Sequence, residues 1–177
     1  MLVLDFVNSL DLRPRREELD APAALAAWLA ARGLVADGQR ATEADLREAI
    51  ELREAIRTLL AAHNDVPVDV EPASAVLDAA ARRTGLGVRF TAGGVRLEPS
   101  ATGIRAGLGS VLADVAARMA DGSWDRLKAC RADDCLWAFE DTAKNRSRAW
   151  CSMRTCGNRQ KARVYRARHL PSNSSSR

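Results

Sequence analysis

Four cysteines near the C-terminal end are the residues of this chain whose type and spacing indicate chemistry. They follow the pattern Cys130-x4-Cys135-x15-Cys151-x4-Cys156, and the first 129 residues contain no cysteine. Two close pairs separated by a longer segment are typical of a four-thiolate zinc site, in which protein fills all four coordination positions and the metal is structural. The spacing also leaves open an iron–sulfur cluster, or thiols that bind no metal.

The cellular compartment decides whether such thiols pair as disulfides. The dense apolar stretch at the start, residues 1–7, is too short to span a membrane, and it lacks the basic flank and cleavage site of a signal peptide. We therefore expect a cytoplasmic protein with no membrane partner. Because the cytoplasm keeps thiols reduced, metal binding is favoured over disulfides. One structural Zn²⁺ is the expected cofactor.

A strongly basic segment surrounds the cysteines. Residues 1–123 carry a net charge of −4, whereas residues 124–177 carry +8. This asymmetry predicts a polyanionic partner for the C-terminal part, with DNA favoured and RNA or an acidic protein as the alternatives. The candidate nucleic-acid-binding residues are the lysines and arginines between the second cysteine and the predicted tail: Lys144, Arg146, Arg148, Arg154, Arg159, Lys161, Arg163, Arg166 and Arg168.

Some of these basic side chains could instead stabilise the module. Acidic residues such as Asp133 and Asp134 lie close in sequence to the cysteines, and each can pair with an arginine. Arg146 and Arg159 flank the loops that carry the ligands. We therefore expect about a third of the set to be structural, with Arg146 and Arg159 foremost.

The residues before the cysteines must position this module, and their pattern predicts a string of helices. Thr42 followed by Asp45 resembles a capping box that starts one long amphipathic helix, and an apolar stripe over residues 104–119 marks a second. Between them, residues 88–90 and 95–97 flank a glycine turn and predict a β-hairpin. The fold class is thus mainly α with one small β-hairpin in the N-terminal domain. A treble-clef-like four-cysteine module, made of a knuckle, a hairpin and a helix, follows it.

The helical part contains no recognisable catalytic constellation, phosphate loop or dinucleotide fingerprint, so we expect no enzyme. Three polar residues near its start could bind a small polar ligand. Asp5 and Asn8 are three residues apart, so they share one face of a helix near Arg13. The alternative is a buried hydrogen-bond network that fixes the first helix against the predicted hairpin.

Two motifs resemble the CGNR zinc-finger family: DTAKNRSRAWCSM at residues 141–153, and CGNR at residues 156–159 followed by Lys161. Near the start, LDFVNS at residues 4–9 resembles the opening of the ABATE domain, which usually precedes this finger. The resemblance implies a stress-induced bacterial transcription regulator. One departure is Ala149, which stands where a second arginine is common, and it removes one phosphate contact.

The resemblance and the composition together predict three parts of the chain. An ABATE-like helical domain of unknown input occupies residues 1–122, and a CGNR-type finger occupies residues 123–170. Residues 171–177 are mostly serine and asparagine, so they form a disordered tail.

Overall fold

Six α-helices and six short β-strands build residues 1–169, the part of the chain that the computed structural model describes. The helices are α1 (Leu2–Val7), α2 (Pro22–Ala30), α3 (Glu43–Ala62), α4 (Glu71–Thr84), α5 (Gly103–Asp121) and α6 (Asn158–His169). The strands are β1 (Leu10–Leu12), β2 (Arg15–Glu17), β3 (Leu86–Thr91), β4 (Gly94–Pro99), β5 (Leu127–Ala129) and β6 (Ala138–Glu140). The tail predicted to be disordered, residues 171–177, lies outside the described residues.

The longest helix, α3, is the centre of the N-terminal fold. It begins at the predicted capping box, where the Thr42 hydroxyl accepts from the N–H of Asp45 (3.2 Å) and the Asp45 carboxylate accepts from the N–H of Thr42 (2.8 Å). Its apolar positions recur at three- and four-residue spacing, and they are buried where α3 meets α1, α2, α4 and α5. This helix therefore fixes the positions of the others.

The second long helix, α5, carries the predicted apolar stripe, which is buried from Ile104 to Val115 and becomes exposed at Met119. Gly109 lets α5 approach the base of the β3–β4 hairpin, because a β-carbon at this position would lie 2.5 Å from that of Pro99. Neither α5 nor any other helix of residues 1–169 is long and apolar enough to cross a membrane.

Three antiparallel two-stranded hairpins accompany the helices. The predicted hairpin is β3–β4, in which Val88 faces Leu97 and Phe90 faces Val95. A shorter hairpin, β1–β2, also lies in the N-terminal domain, and it was not predicted because its strands have only three residues each. The third hairpin, β5–β6, lies among the cysteines. The mainly helical class with a treble-clef-like C-terminal module is confirmed, and β1–β2 is added to it.

The C-terminal hairpin is part of the helical core. Trp124, Leu127, Ala129 and Ala138 are buried in the same apolar cluster as the side chains of α1, α3 and α5. A second, smaller cluster surrounds the cysteines. The C-terminal module, residues 123–169, therefore packs on the N-terminal helices through its own strands.

Candidate metal centre and basic surface

The four cysteines converge on one point in space. Their Sγ atoms all lie within 4.8 Å of one another, with 3.6 Å between Cys135 and Cys151 and 3.7 Å between Cys151 and Cys156. A tetrahedral ion with metal–sulfur bonds of about 2.3 Å separates its ligand sulfurs by about 3.8 Å, which these two distances match. They are far longer than the roughly 2.05 Å of a disulfide bond, and all four thiols are free. The cluster can therefore hold a metal ion.

A tight reversal of the chain aims the first two sulfurs at this point. Cys130 directly follows β5, and its N–H donates to the carbonyl of Trp137 (2.9 Å). Inside the reversal, the N–H groups of Cys135 and Leu136 both donate to the carbonyl of Ala132, and Leu136 has a positive φ of 49°. The turn between β5 and β6 thus forms a knuckle that presents two thiols on one side.

A helical turn presents the fourth sulfur. Cys156 lies in a π-helical turn, Met153–Gly157, whose N-terminal end is capped because the Ser152 hydroxyl accepts from the N–H of Thr155. Helix α6 begins at Asn158, directly after this turn. The start of α6 thus places Cys156 beside the other three sulfurs. The order of knuckle, hairpin and helix is the order of a treble clef.

Three of the thiols, Cys130, Cys135 and Cys151, influence one another's ionisation. Hydrogen bonds from the thiols of Cys135 and Cys151 lower the pKa of Cys130 to about 2, so one sulfur readily becomes a thiolate. The hydrogen bond between Cys135 and Cys130 raises the pKa of Cys135 to about 12. Hydrogen bonds to Cys130 and Cys135 raise the pKa of Cys151. Several thiolates at this spacing need a cation among them, and metal binding provides it as the protons leave.

A buried ion pair supports the loop that leads to Cys151. The Lys128 ammonium donates to the Asp141 carboxylate (2.8 Å), and both side chains are buried. The same carboxylate accepts from the backbone N–H groups of Ala143 and Arg148, each at 3.0 Å. Asp141 therefore holds both ends of the loop 143–148. Asp141 belongs to the CGNR-like motif, but nothing in the sequence indicates Lys128 as its partner.

The ion pair makes stability depend on pH. Burial acts to raise the pKa of Asp141, but the hydrogen bond from Lys128 and those from the two backbone N–H groups outweigh it, so this pKa is lowered. A carboxylate whose pKa is lowered on folding contributes fully above its unfolded pKa of about 3.9, and the contribution is lost as the pH falls below that value.

We expect Asp141→Asn to lower the free energy of unfolding by about 3–5 kcal/mol at pH 7, because the Lys128 charge would stay buried without its partner. Urea titrations at pH 7 measure this. Below about pH 4 the difference between the variant and the original chain should shrink. Asp125→Asn is the matched control, since Asp125 is exposed. Equal stability of the two variants at pH 7 would contradict the assignment.

Polar side chains of the helical domain hold the C-terminal module by its backbone. The Asn8 side-chain amide accepts from the Ala138 N–H (2.8 Å) and donates to the Ala138 carbonyl (2.9 Å). At the end of α3, the Asn64 amide nitrogen donates to the carbonyls of Ala129 and Ala149, both at 2.8 Å. Ala129 directly precedes Cys130, and Ala149 lies two residues before Cys151. The hydrogen bonds of Asn64 therefore hold the backbone next to one cysteine of each pair. The helical domain thus fixes the orientation of the metal-binding module.

The three residues proposed for a small ligand have separate partners. Asp5 lies 3.2 Å from the N-terminal ammonium group and is exposed. Asn8 binds Ala138, which agrees with the network alternative, but the hairpin that it contacts is β5–β6 and not the predicted hairpin β3–β4. Arg13 donates to Asp134 of the knuckle at 2.7 Å. Ligand binding by these residues stays a prediction.

Three of the nine predicted basic residues are anchored within the module. Arg148 donates to the carbonyls of Trp150 and Cys151, and its guanidinium lies 4.6 Å from the centre of the Phe139 ring. The other two form ion pairs between α6 and the knuckle. Arg159 pairs with Asp134 at 2.6 Å, and Arg163 pairs with Asp133 at 3.0 Å. Arg159 was expected to be structural, whereas Arg148 was not singled out.

The other six basic side chains are exposed, and within residues 1–169 they form no ion pair and no side-chain hydrogen bond. We call them the open basic set: Lys144, Arg146, Arg154, Lys161, Arg166 and Arg168. Arg146, expected to be structural, belongs to this set, although its backbone carbonyl accepts from Lys128. The helix that carries three of them, α6, has no buried residue. The module therefore presents six cations that have no partner within residues 1–169, on α6, on the turn before it and on the loop that leads to Cys151.

Comparison with known families assigns both parts of the chain. Residues 1–122 match the family model ABATE, described as "Putative stress-induced transcription regulator", and residues 126–169 match the CGNR zinc finger. A search of curated proteins found no match. The first model alone covers more than half of the chain, and both agree with the resemblance seen in the motifs. The chain therefore belongs to the ABATE family and carries a CGNR zinc finger at its C-terminal end.

Proposed function

We propose that this protein is a transcription regulator that binds DNA through its C-terminal module. The open basic set is the observation that carries the proposal, because six exposed cations lie on a loop, a turn and a helix that the four-cysteine cluster holds together. Phosphate groups are the partners that such cations bind in nucleic acids. The family description agrees with a regulator.

The metal that fits the site best is a single Zn²⁺. Sulfurs within 4.8 Å of one another surround the space of one ion, whereas an iron–sulfur cluster would place a cage of atoms between them. Four thiolates in tetrahedral geometry are the ligands that structural zinc prefers. Because protein supplies all four ligands, no coordination position is left for water or substrate, and the ion would stabilise the fold.

The anchoring of α6 supports its role as the helix that enters the DNA. At 100° per residue, Arg159 and Arg163 lie on one side of the helix, which is the side that pairs with the knuckle. Lys161 and Arg168 lie on the opposite side and point away from it. The outward side of a helix held at its N-terminal end can fit a major groove about 12 Å wide.

We further propose that the protein acts by binding and not by catalysis. The polar groups of the helical domain that might serve chemistry are occupied in holding the fold. Asn8 and Asn64 bind the backbone of the module, and Arg53 binds Glu17. A regulatory signal would then be an interaction with the helical domain that changes its contacts with the C-terminal module.

We expect Lys161→Gln combined with Arg168→Gln to weaken binding to labelled duplex DNA and to reduce the salt dependence of the binding constant. Each lost phosphate contact lowers the log–log salt slope by about 0.9, so the pair should lower it by nearly 2. Fluorescence anisotropy at several salt concentrations measures both effects. Both side chains are exposed, so an unchanged melting temperature shows that the fold is intact.

The matched control is Arg47→Gln combined with Arg105→Gln, which removes the same charge from exposed positions on α3 and α5. It should leave the affinity and the slope nearly unchanged. If both double variants lose the same DNA affinity, the effect arises from net charge alone, and this would contradict binding through the surface of α6. Single-stranded RNA and polyglutamate are tested as competitors. If either binds more tightly than duplex DNA, the proposed partner is RNA or an acidic protein and not DNA.

A further inference from the structure

The β3–β4 hairpin has an apolar face that is uncovered within residues 1–169. Three cross-strand pairs form this face: Leu86 with Pro99, Val88 with Leu97, and Phe90 with Val95. The base of the face is half-buried, because β4 packs against α5. Towards the turn the face emerges into solvent, where Val88 is 58% exposed, Phe90 81% and Val95 61%. A contiguous exposed apolar patch of this kind marks an interaction site.

The opposite face of the same hairpin carries its charges. Arg89 faces Arg96 across the two strands, and the Arg89 guanidinium lies 3.2 Å from the Glu98 carboxylate. All three side chains are exposed. The alternation of side chains therefore gives the hairpin one charged face, which water solvates well, and one apolar face, which water solvates poorly. Nucleic acid is a poor partner for the uncharged face because it offers phosphate no cation.

We propose that this apolar face binds the same face of a second copy of the chain, around a two-fold axis. The face contains no charged side chain, so two copies can meet without burying an unpaired charge, and nothing on it would attract an oppositely charged partner. Two such ribbons stack about 10 Å apart, with their charged faces outward on both sides. A symmetric pair is also the commonest arrangement in which one surface patch covers itself.

The size of the face sets the strength of the pair. An aromatic side chain can bury about 150–250 Å². From the exposures of Phe90 and its two valine neighbours, we estimate that two copies bury about 600–700 Å² through these side chains. Stable interfaces bury about 1,200–2,000 Å² in total. An interface of this size is weak, so the dimer is reversible and its population depends on protein concentration.

The hairpin lies at the other end of α3 from the zinc finger. The end of α4, directly before β3, is near the start of α3, because Arg83 pairs with Glu48 (2.8 Å). The finger contacts the opposite end of α3, through Asn64. A helix of 20 residues spans about 30 Å. Dimerisation thus leaves both basic surfaces free, and two linked fingers would bind one DNA molecule with higher avidity.

Sedimentation equilibrium of the whole chain, from about 1 to 500 μM, tests the pair directly. We expect a shift from monomer to dimer across this range, and we expect 1 M NaCl to leave the association intact because the contact is apolar. Phe90→Ser should weaken dimerisation by about 100-fold or more, since each dimer contains two copies of this side chain. Arg96→Ser, on the charged face of the same hairpin, should leave it unchanged.

Phe90 and Arg96 are both exposed, so the two variants should melt at the same temperature as the original chain. A monomer at every concentration would overturn the proposal. So would a Phe90→Ser variant that dimerises as tightly as the original, or a dimer that dissociates in 1 M NaCl. The result does not depend on DNA binding, because no nucleic acid is present in the measurement.

Discussion

Replacing Cys156 by serine should abolish metal binding and lower the unfolding temperature of the entire chain. The metal contributes about 10–16 kcal/mol of apparent free energy to small zinc modules, and three remaining thiolates lose most of it. Metal analysis of the purified variant should fall from about one equivalent of zinc to none. Helix α6 should unfold with the cluster, because it has no buried side chain of its own. Far-UV circular dichroism should then show less helix.

The effect should reach the helical domain as well. Leu127, Ala129 and Ala138 of the module belong to the core that α1, α3 and α5 build, so a disordered module uncovers that core. Ser147→Ala is the control, since Ser147 is an exposed residue of the loop between the cysteine pairs. A Cys156→Ser variant that keeps one equivalent of metal would refute the four-thiolate site. A variant that loses the metal but melts at the original temperature would refute the shared core.

Replacing Arg53 by methionine should destabilise the helical domain by about 3–5 kcal/mol. Arg53 lies on α3 and is only 2% exposed. Its guanidinium donates two hydrogen bonds to the Glu17 carboxylate, at 2.6 and 2.8 Å, and one to Glu54 at 2.9 Å. Methionine fills much of the same space, but it leaves the partly buried Glu17 charge without its partner. Urea-induced unfolding at pH 7 measures the loss.

Arg47→Met is the control for this substitution, because Arg47 lies on the same helix and is exposed. It should change the free energy of unfolding by less than about 0.5 kcal/mol. A second test removes Glu17 as well. If the penalty arises from the unpaired carboxylate, Arg53→Met together with Glu17→Gln should be more stable than Arg53→Met alone. An Arg53→Met variant as stable as Arg47→Met would show that the ion pair contributes nothing.

The features that the sequence predicted correctly depend on residues close together in the chain. The capping box of Thr42 and Asp45 involves neighbours three residues apart, and the β3–β4 hairpin forms around a short glycine turn. The β1–β2 hairpin was missed because three-residue strands carry too little alternation to be recognised.

The contacts between distant segments were not foreseeable in the same way. Asn64 binds the carbonyls of Ala129 and Ala149, which lie 65 and 85 residues further along the chain. Lys128 finds Asp141 inside the module, and Arg53 finds Glu17 across 36 residues. Such pairs leave no periodic pattern in the sequence, because the local preferences of an asparagine or arginine do not depend on which distant residue it contacts in the fold. Their partners are set when the helices and strands pack together.

For the candidate site, the sequence by itself determined which residues are the candidate metal ligands and that the segment around them is basic. The spacing of four cysteines in two close pairs predicts a metal-binding module, and the basic segment beside them predicts a polyanionic partner. The tertiary structure decided which cations are available. Arg148, Arg159 and Arg163 bind groups of the module, whereas Lys144, Arg146, Arg154, Lys161, Arg166 and Arg168 face solvent. The reason is physical: an arginine and a nearby acid pair only where the folded chain brings their side chains into contact.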